Sequence, residues 1–122
     1  MTTVLIVDDS PTILMSLSAI LTKHAFTVVT AVDGQDALDT VPTARPQLII
    51  TDLNMPRMDG TTFVSRVRTL PGMRFVPILM LTTESDPAKR QQAKSAGATG
   101  WLVKPVAPDA LLSVIRQVLP GA

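Results

Sequence analysis

The sequence contains no cysteine, and only 3% of its residues are aromatic. The absence of cysteine excludes disulfide bonds and metal sites built on thiolates. The scarcity of aromatic residues, with no serine- and threonine-rich phosphate loop after the first apolar run, argues against a flavin-binding domain. Every apolar run is far too short to cross a bilayer, and no basic-then-apolar leader precedes the first one. We therefore expect no membrane insertion and a cytoplasmic location.

An excess of charge of either sign is also missing. The 11 basic residues nearly balance the 10 acidic ones, and the net charge is +1. Binding to nucleic acid or to an anionic membrane needs a concentrated basic face, so we expect neither partner. With 122 residues, 46% apolar content and no internal repeat, the chain is expected to form one domain over residues 1–122. Its function must therefore depend on a local group of charges.

Short apolar runs alternate with helical patterns along the chain. The runs predict strands at 4–7, 27–31, 48–51, 78–81 and 101–103. Apolar residues at helical spacing predict the helices: 11–23, 34 to a stop at Pro42 and Pro46, Thr61–Leu70, Pro87 to Gly97, and Pro108 onward. Strands that alternate with helices pair in parallel through right-handed crossovers. The pattern therefore predicts an α/β sandwich with a doubly wound parallel sheet.

Polar side chains directly follow four of the predicted strands. They are Asp8, Asp9, Asp52, Thr82 and Lys104. Because parallel strands all point the same way, we expect these side chains to meet at the edge of the sheet where ligands bind in such folds. Taken singly, each aspartate would more simply be a turn former or a helix cap, and Lys104 a solvated lysine. Their convergence is what indicates a functional site.

The three aspartates predict a cation site. Neighbouring carboxylates repel one another, and a divalent cation would relieve that repulsion. The available ligands are oxygens, from Asp9, Asp52, a backbone carbonyl near Asn54 and water. Oxygen ligands favour a hard ion, so we expect Mg²⁺, with Mn²⁺ as the alternative. Asp8 is expected to hold a metal-bound water and not the ion itself.

The remaining groups suit phosphoryl transfer. A transferring phosphoryl group carries its charge on three oxygens, so a protein promotes transfer mainly by placing positive charge and donors around them. Lys104, the Thr82 hydroxyl and N–H groups of the loop would supply these contacts. With one oxygen of Asp52 on the metal and the other free to attack phosphorus, we expect the site to accept a phosphoryl group onto Asp52.

In this order and spacing, the residues resemble the receiver domain of two-component response regulators. The resemblance spans the whole chain, through Asp8-Asp9, Asp52 with NMPRMDG, Thr82, and Lys104-Pro105. It implies a flavodoxin-like (βα)5 fold with strand order 2-1-3-4-5, the order known for CheY-like receivers. The stretches LTTES and AGATGWLVKP are most similar to stand-alone chemotaxis receivers. A role in chemotaxis or motility is therefore expected from resemblance alone.

The resemblance also implies roles, partners and one backbone feature. The phosphoryl group would come from a sensor histidine kinase, and the output partner would be a target such as the flagellar motor switch. A monomer is expected, with a cis Lys104–Pro105 bond. The implied roles are phosphoacceptor for Asp52, metal ligands for Asp9 and the Asn54 carbonyl, a contact to metal-bound water for Asp8, a bridge to phosphoryl oxygen for Lys104, and a switch hydroxyl for Thr82.

Trp101 departs from the family pattern. The switch aromatic of most receivers is tyrosine or phenylalanine, and an indole needs more room to rotate inward. Phosphorylation is expected to draw Thr82 toward Asp52, to bias Trp101, and to reshape the face made by the fourth helix, the fifth strand and the last helix. Thr83 and Glu84 lie beside the site. They are either ordinary residues of a strand end or residues that modulate water entry.

Two other functions remain open. The first is a phosphohydrolase with an aspartyl nucleophile, but such enzymes space two aspartates one residue apart and usually carry a cap domain. Here Asp8 and Asp9 are adjacent. The second is a receiver-like interaction module that is never phosphorylated, although such modules usually lose the acceptor or the lysine. We expect a switch that catalyses only its own phosphorylation and dephosphorylation and is not an enzyme acting on an external substrate.

Overall fold

Within residues 2–119, five parallel strands form one sheet, and five helices cover its two faces. The computed structural model describes residues 2–119. The strands are β1 (Thr3–Val7), β2 (Thr27–Ala31), β3 (Leu48–Thr51), β4 (Ile78–Thr82) and β5 (Gly100–Val103). The helices are α1 (Pro11–Lys23), α2 (Gly34–Ala44), α3 (Gly60–Val67), α4 (Pro87–Ala96) and α5 (Pro108–Val118). The order β2-β1-β3-β4-β5 confirms the predicted doubly wound α/β fold. Met1 and residues 120–122, the ends of the predicted 1–122 domain, lie outside the described residues.

The sheet separates two hydrophobic cores, because successive strand residues point to opposite faces. Leu5 and Val7 lie in the core covered by α2, α3 and α4, whereas Val4 and Ile6 lie in the core covered by α1 and α5. All four side chains are fully buried. Burial on both faces explains why β1 reads as a continuous apolar run without alternation. No helix within residues 2–119 is long and apolar enough to cross a membrane.

The helices begin where side chains cap them. Ser10 accepts a hydrogen bond from the backbone N–H of Ile13, and Asp59 accepts one from the N–H of Thr62. An oxygen at this position satisfies one of the free N–H groups of the first turn, which stabilises a helix by about 1 kcal/mol. Ser10 lies three residues after the end of β1, and Asp59 is the last residue of the β3–α3 loop. They therefore fix where those segments leave the sheet.

Of the two prolines predicted to stop the second helix, Pro42 does not end it, whereas the helix does end before Pro46. Helix α2 passes through Pro42 to Ala44 and ends at Arg45, whose φ of 46° is left-handed. Proline lacks an N–H and so cannot donate to the carbonyl four residues earlier, but in the last turn this loss affects a single bond. The N–H of Arg45 still donates to the Val41 carbonyl at 2.8 Å. The helix therefore tolerates Pro42 and stops at the left-handed residue.

The prediction that the third helix reaches Leu70 is also wrong. Helix α3 ends at Val67, and the next residues form tighter turns in which Thr69 and Leu70 donate to carbonyls three residues back. Arg68 directs its guanidinium to the carbonyls of Met73, Val76 and Gly97. These bonds tie the α3–β4 loop to the end of α4. They account for the early end of the helix.

Backbone hydrogen bonds extend the sheet one residue past three strands. The N–H of Asp8 donates to Ala31, the N–H of Asp52 to Val7, and the N–H of Lys104 to Thr82, at 2.8–3.1 Å. Each bond continues the parallel ladder beyond the end of its strand. The side chains that follow β1, β3 and β5 are therefore held in register at one edge of the sheet.

Candidate functional site

Lys104 joins two of the predicted site aspartates. Its Nζ lies 2.6 Å from Oδ2 of Asp8 and 3.1 Å from Oδ2 of Asp52. Lys104 is 96 positions from Asp8 and 52 positions from Asp52 in the sequence, so only the fold brings the three residues together. Asp8 is 3% exposed and Asp52 is 9% exposed. Lys104 thus points into the acidic site and not into solvent.

The Asp52 carboxylate is fixed by its own loop. Its Oδ1 accepts hydrogen bonds from the N–H groups of Leu53 at 2.7 Å and of Asn54 at 3.4 Å. Its Oδ2 is the oxygen that contacts Lys104. A carboxylate that contacts donors on both oxygens has a defined plane. Asp52 is therefore oriented before any substrate arrives.

Gly60 lets the start of α3 approach this loop. A Cβ at position 60 would collide with the backbone carbonyl oxygen of Asp52 and would lie 2.7 Å from the Met80 Cε. The N–H of Gly60 donates to the Leu53 carbonyl at 2.7 Å, which closes the loop on itself. Only glycine fits this approach without displacing the backbone that carries Asp52.

Asp8 is held by the turn that begins α1. Its Oδ1 accepts a hydrogen bond from the N–H of Ser10 at 2.9 Å, and its Oδ2 faces Lys104. Asp9, by contrast, is exposed. Carboxylate oxygens of Asp8, Asp9 and Asp52 all lie within 4.8 Å of one another. The predicted convergence of the three aspartates is therefore present in the structure.

The charges of the site do not balance. Three carboxylates face a single ammonium group, which leaves an excess of two negative charges. The donors are all oxygens, and one carboxylate, that of Asp9, is open to solvent. This set suits a hard divalent cation that keeps part of its water shell. The donor set thus fits the predicted Mg²⁺, and Asp9 with Asp52 offers the most accessible pair of ligands.

Lys104 stays protonated in this setting. Burial alone would lower the pKa of its ammonium group, but the hydrogen bonds that it donates to Asp8 and Asp52 and the charges of these two carboxylates outweigh burial and raise the pKa above its ordinary value of 10.5. The lysine therefore carries a positive charge at any physiological pH. The Lys104–Pro105 bond that follows is cis, as the resemblance implies.

Thr82 is completely buried as the last residue of β4. Its Oγ1 accepts a hydrogen bond from the N–H of Glu84 at 3.2 Å. Glu84 pairs with Lys89 on α4 at 2.9 Å, and Thr83 is exposed. In this arrangement the Thr82 hydroxyl bonds to the β4–α4 loop and could still donate elsewhere. Its role as a switch hydroxyl stays a prediction.

Trp101 lies on β5 in register with Met80 and is half-buried. Its ring packs against the core covered by α2, α3 and α4. Its Nε1 is buried and, within residues 2–119, has no hydrogen-bond partner. The residue also lines a cavity of about 230 Å³ with Arg90 and Lys94 of α4. The indole therefore sits between the core and the α4 surface, and its role as a switch stays a prediction.

The sequence reasoning missed one ion pair next to the site. Arg57 in the β3–α3 loop contacts the Asp33 carboxylate at 2.8 Å. No motif in the sequence singles out Asp33, and Arg57 lies within the NMPRMDG stretch without a predicted role of its own. The two residues are 24 positions apart, and no periodic signal links them.

Asn54, whose backbone carbonyl is the remaining predicted metal ligand, is exposed in the β3–α3 loop.

Comparison with known proteins places this site in a family. The model of the response regulator receiver domain matches residues 4–116. The chain is similar to protein PilH of Pseudomonas aeruginosa, with 32% identity over 99% of this chain and 100% of the relative. It is also similar to the probable chemotaxis protein CheY of Rhizobium etli, with 36% identity over 94% of this chain and 90% of the relative.

A solved structure has the same fold. The chemotaxis protein CheY4 of Vibrio cholerae superposes with a TM-score of 0.94 and is 49% identical, covering 98% of this chain and 99% of that chain. The resemblance to receiver domains is confirmed by these comparisons.

Proposed function

The chain belongs to the response regulator receiver domain family, and from this premise we propose that it is a signalling switch that accepts a phosphoryl group onto Asp52 in a Mg²⁺-dependent reaction. The observation that carries the proposal is the contact of Lys104 with both Asp8 and Asp52 beside the exposed carboxylate of Asp9. This arrangement holds a buried, oriented carboxylate next to a fixed positive charge. Those are the two requirements for a carboxylate nucleophile in phosphoryl transfer.

The proposed cation ligands are Asp9, Asp52 and the backbone carbonyl of Asn54, with Asp8 contacting a coordinated water. Mg²⁺ at this position would neutralise charge on the phosphoryl oxygens and on the acidic residues. The excess negative charge and the all-oxygen donors support this ion. Mn²⁺ has the same ligand preferences and is the expected substitute.

Acceptance is a single displacement at phosphorus. One oxygen of the Asp52 carboxylate forms a bond to phosphorus while the bond from phosphorus to the imidazole nitrogen of a phosphohistidine breaks. The electron pair of that bond leaves with the ring, which departs as neutral imidazole because its other nitrogen carries a proton, and the product is an aspartyl phosphate. Because Oδ1 of Asp52 is held by two backbone N–H groups, the carboxylate does not need to reorient before attack.

Lys104 and Thr82 are proposed to contact the transferred group. The Lys104 ammonium already lies 3.1 Å from an Asp52 oxygen, so a phosphoryl group on Asp52 would stay within its reach. Thr82 is buried at the end of the neighbouring strand and is proposed to turn its hydroxyl toward the phosphoryl oxygens. Hydrolysis returns the carboxylate and inorganic phosphate when water attacks phosphorus. Thr83 and Glu84 are proposed to modulate the entry of that water.

The kinase is proposed to dock beside the site. A groove of about 310 Å³ between α1 and the β5–α5 segment is lined mainly by apolar side chains and by Lys104. An exposed apolar surface that ends at the reactive lysine suits a protein phosphodonor better than a small one. A sensor histidine kinase, of the chemotaxis type, is the proposed donor.

The output is proposed to be a change in the face formed by α4, β5 and α5. Trp101 connects the core to α4 in this face, and Lys89, Arg90 and Lys94 give α4 a basic surface. The relatives CheY and CheY4 are named as chemotaxis proteins, so a cytoplasmic partner such as the flagellar motor switch is the proposed target. We propose a monomer that binds neither nucleic acid nor membrane and turns over no external substrate.

Intact mass measurement tests the proposal. The protein is incubated with Mg²⁺ and acetyl phosphate, and we expect a gain of one phosphoryl group. Asp52→Asn should abolish the gain, because the amide is not a nucleophile toward phosphorus. Asp59→Asn is the matched control, since it removes the same charge in the same loop and asparagine still caps α3.

The outcomes separate the proposal from its rivals. A gain that persists in Asp52→Asn would place the acceptor elsewhere. No gain in the wild-type protein, at any Mg²⁺ concentration, would favour an interaction module that is never phosphorylated. Rapid turnover of unrelated phosphomonoesters would favour a phosphohydrolase.

A further inference from the structure

We propose that Arg57 and Asp33 are positioning residues that hold the β3–α3 loop in the conformation that presents Asn54 and Asp52 to the cation. This inference rests on the proposed function, because the cation and the acceptor are its premises. It assigns a role to an ion pair that lies outside the acidic cluster. Neither residue would touch the phosphoryl group.

The β3–α3 loop has little internal support at its tip. Its base is closed by the bond from the Gly60 N–H to the Leu53 carbonyl, and the Met58 N–H donates to the Pro56 carbonyl at 2.8 Å. Asn54, Pro56 and Arg57 are exposed. The segment that carries the proposed carbonyl ligand therefore depends on contacts with a neighbouring element.

Helix α2 supplies the fixed end of the contact. Asp33 is only 8% exposed and caps α2, because its Oδ1 accepts a hydrogen bond from the N–H of Asp36 at 2.8 Å. Its other oxygen, Oδ2, accepts from Nη2 of Arg57 at 2.8 Å. Each carboxylate oxygen thus has its own partner. A side chain held by the first turn of a helix is a rigid anchor for a loop.

A second contact lies next to the ion pair. A Cβ added to Gly34, the first residue of α2, would lie 2.8 Å from the Met58 Sδ. Met58 therefore packs directly over the start of the helix, in space that any larger residue at position 34 would fill. Together the two contacts attach consecutive loop residues, Arg57 and Met58, to the N-cap of α2, Asp33, and to its first residue, Gly34.

The backbone of Arg57 indicates that the loop is held in one particular form. Its φ is 69°, in the left-handed region that residues other than glycine rarely adopt. Such a conformation persists when the surrounding contacts determine it. If the pair with Asp33 is lost, the loop can sample other conformations, and only the fraction in the original form binds the cation. The apparent Kd for the cation is therefore inversely proportional to the fraction of molecules whose loop is in the original form.

Arg57→Ala tests the role in the full chain, with Mg²⁺ binding measured by titration calorimetry. We expect the Kd for Mg²⁺ to rise about threefold to fivefold, since an exposed ion pair has an effect of at most that size. The direction is diagnostic. Removing a positive charge near an acidic site would, through charge alone, lower the Kd. Arg57→Lys should recover part of the affinity.

Two further variants isolate the pair. Asp33→Asn keeps a helix cap and removes the charge, so it should raise the Kd as Arg57→Ala does, and the double variant should add nothing further. Arg74→Ala removes an arginine from the α3–β4 loop and should leave the Kd unchanged within error. Hydrogen exchange of the amides at 53–59, measured without metal, should be faster in Arg57→Ala while urea unfolding is unchanged.

The results distinguish failure of the inference from failure of the proposed function. If the wild-type protein binds Mg²⁺ and accepts a phosphoryl group, but Arg57→Ala leaves or lowers the Kd with unchanged loop exchange, then the pair has no positioning role. If the wild-type protein neither binds Mg²⁺ nor accepts a phosphoryl group, the proposed function itself is wrong.

Discussion

At the scale of single residues, the site depends on Lys104. A lysine at the end of a strand is usually solvated, yet this one is enclosed between two carboxylates from different strands. Burial alone would favour the neutral amine, and the two aspartates reverse that preference. The lysine therefore acts as a fixed charge and not as a proton carrier. The same contact that orients Asp52 also contributes to stability.

Replacing Lys104 by methionine should lower the free energy of unfolding by about 1–3 kcal/mol, because it leaves buried carboxylates without their partner. A group whose pKa is higher in the folded state stabilises the protein fully below its unfolded value and loses that effect as pH rises through the folded value. The difference between wild type and Lys104→Met should thus be flat around neutral pH and shrink only above pH 10.5.

Urea unfolding in metal-free buffer across this pH range measures the difference. Added Mg²⁺ should restore stability to Lys104→Met, since the cation compensates the same carboxylates. A difference that stays constant as pH rises well above 10.5 would mean that the pKa of Lys104 is not raised in the folded protein and that the lysine is a solvated group.

At the scale of secondary structure elements, loops and strand ends are tied together by a few side chains. Arg68 is the clearest case, because its guanidinium donates to carbonyls at the end of the α3–β4 loop and after α4. Burial lowers the pKa of Arg68, but guanidinium stays charged at neutral pH. It links the end of α3 to the segment that leads into β5.

Arg68→Met should lower the free energy of unfolding by about 2–3 kcal/mol, because it removes charge-assisted donors from carbonyls that have little access to water. Arg66→Met is the control, since Arg66 is exposed in the last turn of α3, two residues before Arg68, and should change stability by less than about 0.5 kcal/mol. Urea unfolding of the two variants compares them. Equal effects would mean that the carbonyl contacts of Arg68 contribute nothing beyond packing.

Strand β5 and helix α4 are the elements expected to respond to phosphorylation. Trp101 is the only tryptophan in the sequence, and its buried Nε1 has no partner among residues 2–119. A buried N–H without a partner is costly, so a change that gives it an acceptor or water is favourable. This makes the indole sensitive to small movements of α4.

We expect the emission spectrum of Trp101, or its quenching by acrylamide, to differ between the Mg²⁺ form and a form with a phosphoryl-mimicking beryllium fluoride. Thr82→Ala should still accept a phosphoryl group but lose most of the spectral change, because Thr82 is proposed to couple the site to β5. Identical spectra and quenching in the two forms of the wild-type protein would exclude Trp101 from the switch.

At the scale of the whole molecule, the architecture follows from local patterns. Buried parallel strands read as continuous apolar runs, and a strictly alternating order of strands and helices leaves few topologies. The meeting of Asp8, Asp9, Asp52 and Lys104 at one edge follows from that topology and could be predicted. The strand order itself was taken from the resemblance, because alternation alone does not determine it.

Other features depend on tertiary contacts and could not be predicted. The pair of Asp33 and Arg57 joins residues that share no pattern in the sequence. Helix α3 ends where the Arg68 side chain reaches its carbonyl acceptors. The helical spacing of apolar residues in the sequence continues past that point and therefore predicts a longer helix. Pro42 was read as a stop, although its place in the last turn makes it tolerable. For the ion pair and the end of α3, tertiary contacts determined the outcome, whereas for Pro42 its position in the helix did.

The central claim is that residue 52 is the acceptor of a Mg²⁺-dependent phosphoryl transfer, and peptide mapping of the phosphorylated protein tests it most directly. After reaction with acetyl phosphate and Mg²⁺, reduction with borohydride converts an aspartyl phosphate to homoserine. We predict this conversion at Asp52 alone, and its loss when a chelator replaces Mg²⁺. Conversion at Asp8, Asp9 or Asp59 in place of Asp52, or conversion that is unchanged by the chelator, would contradict the account.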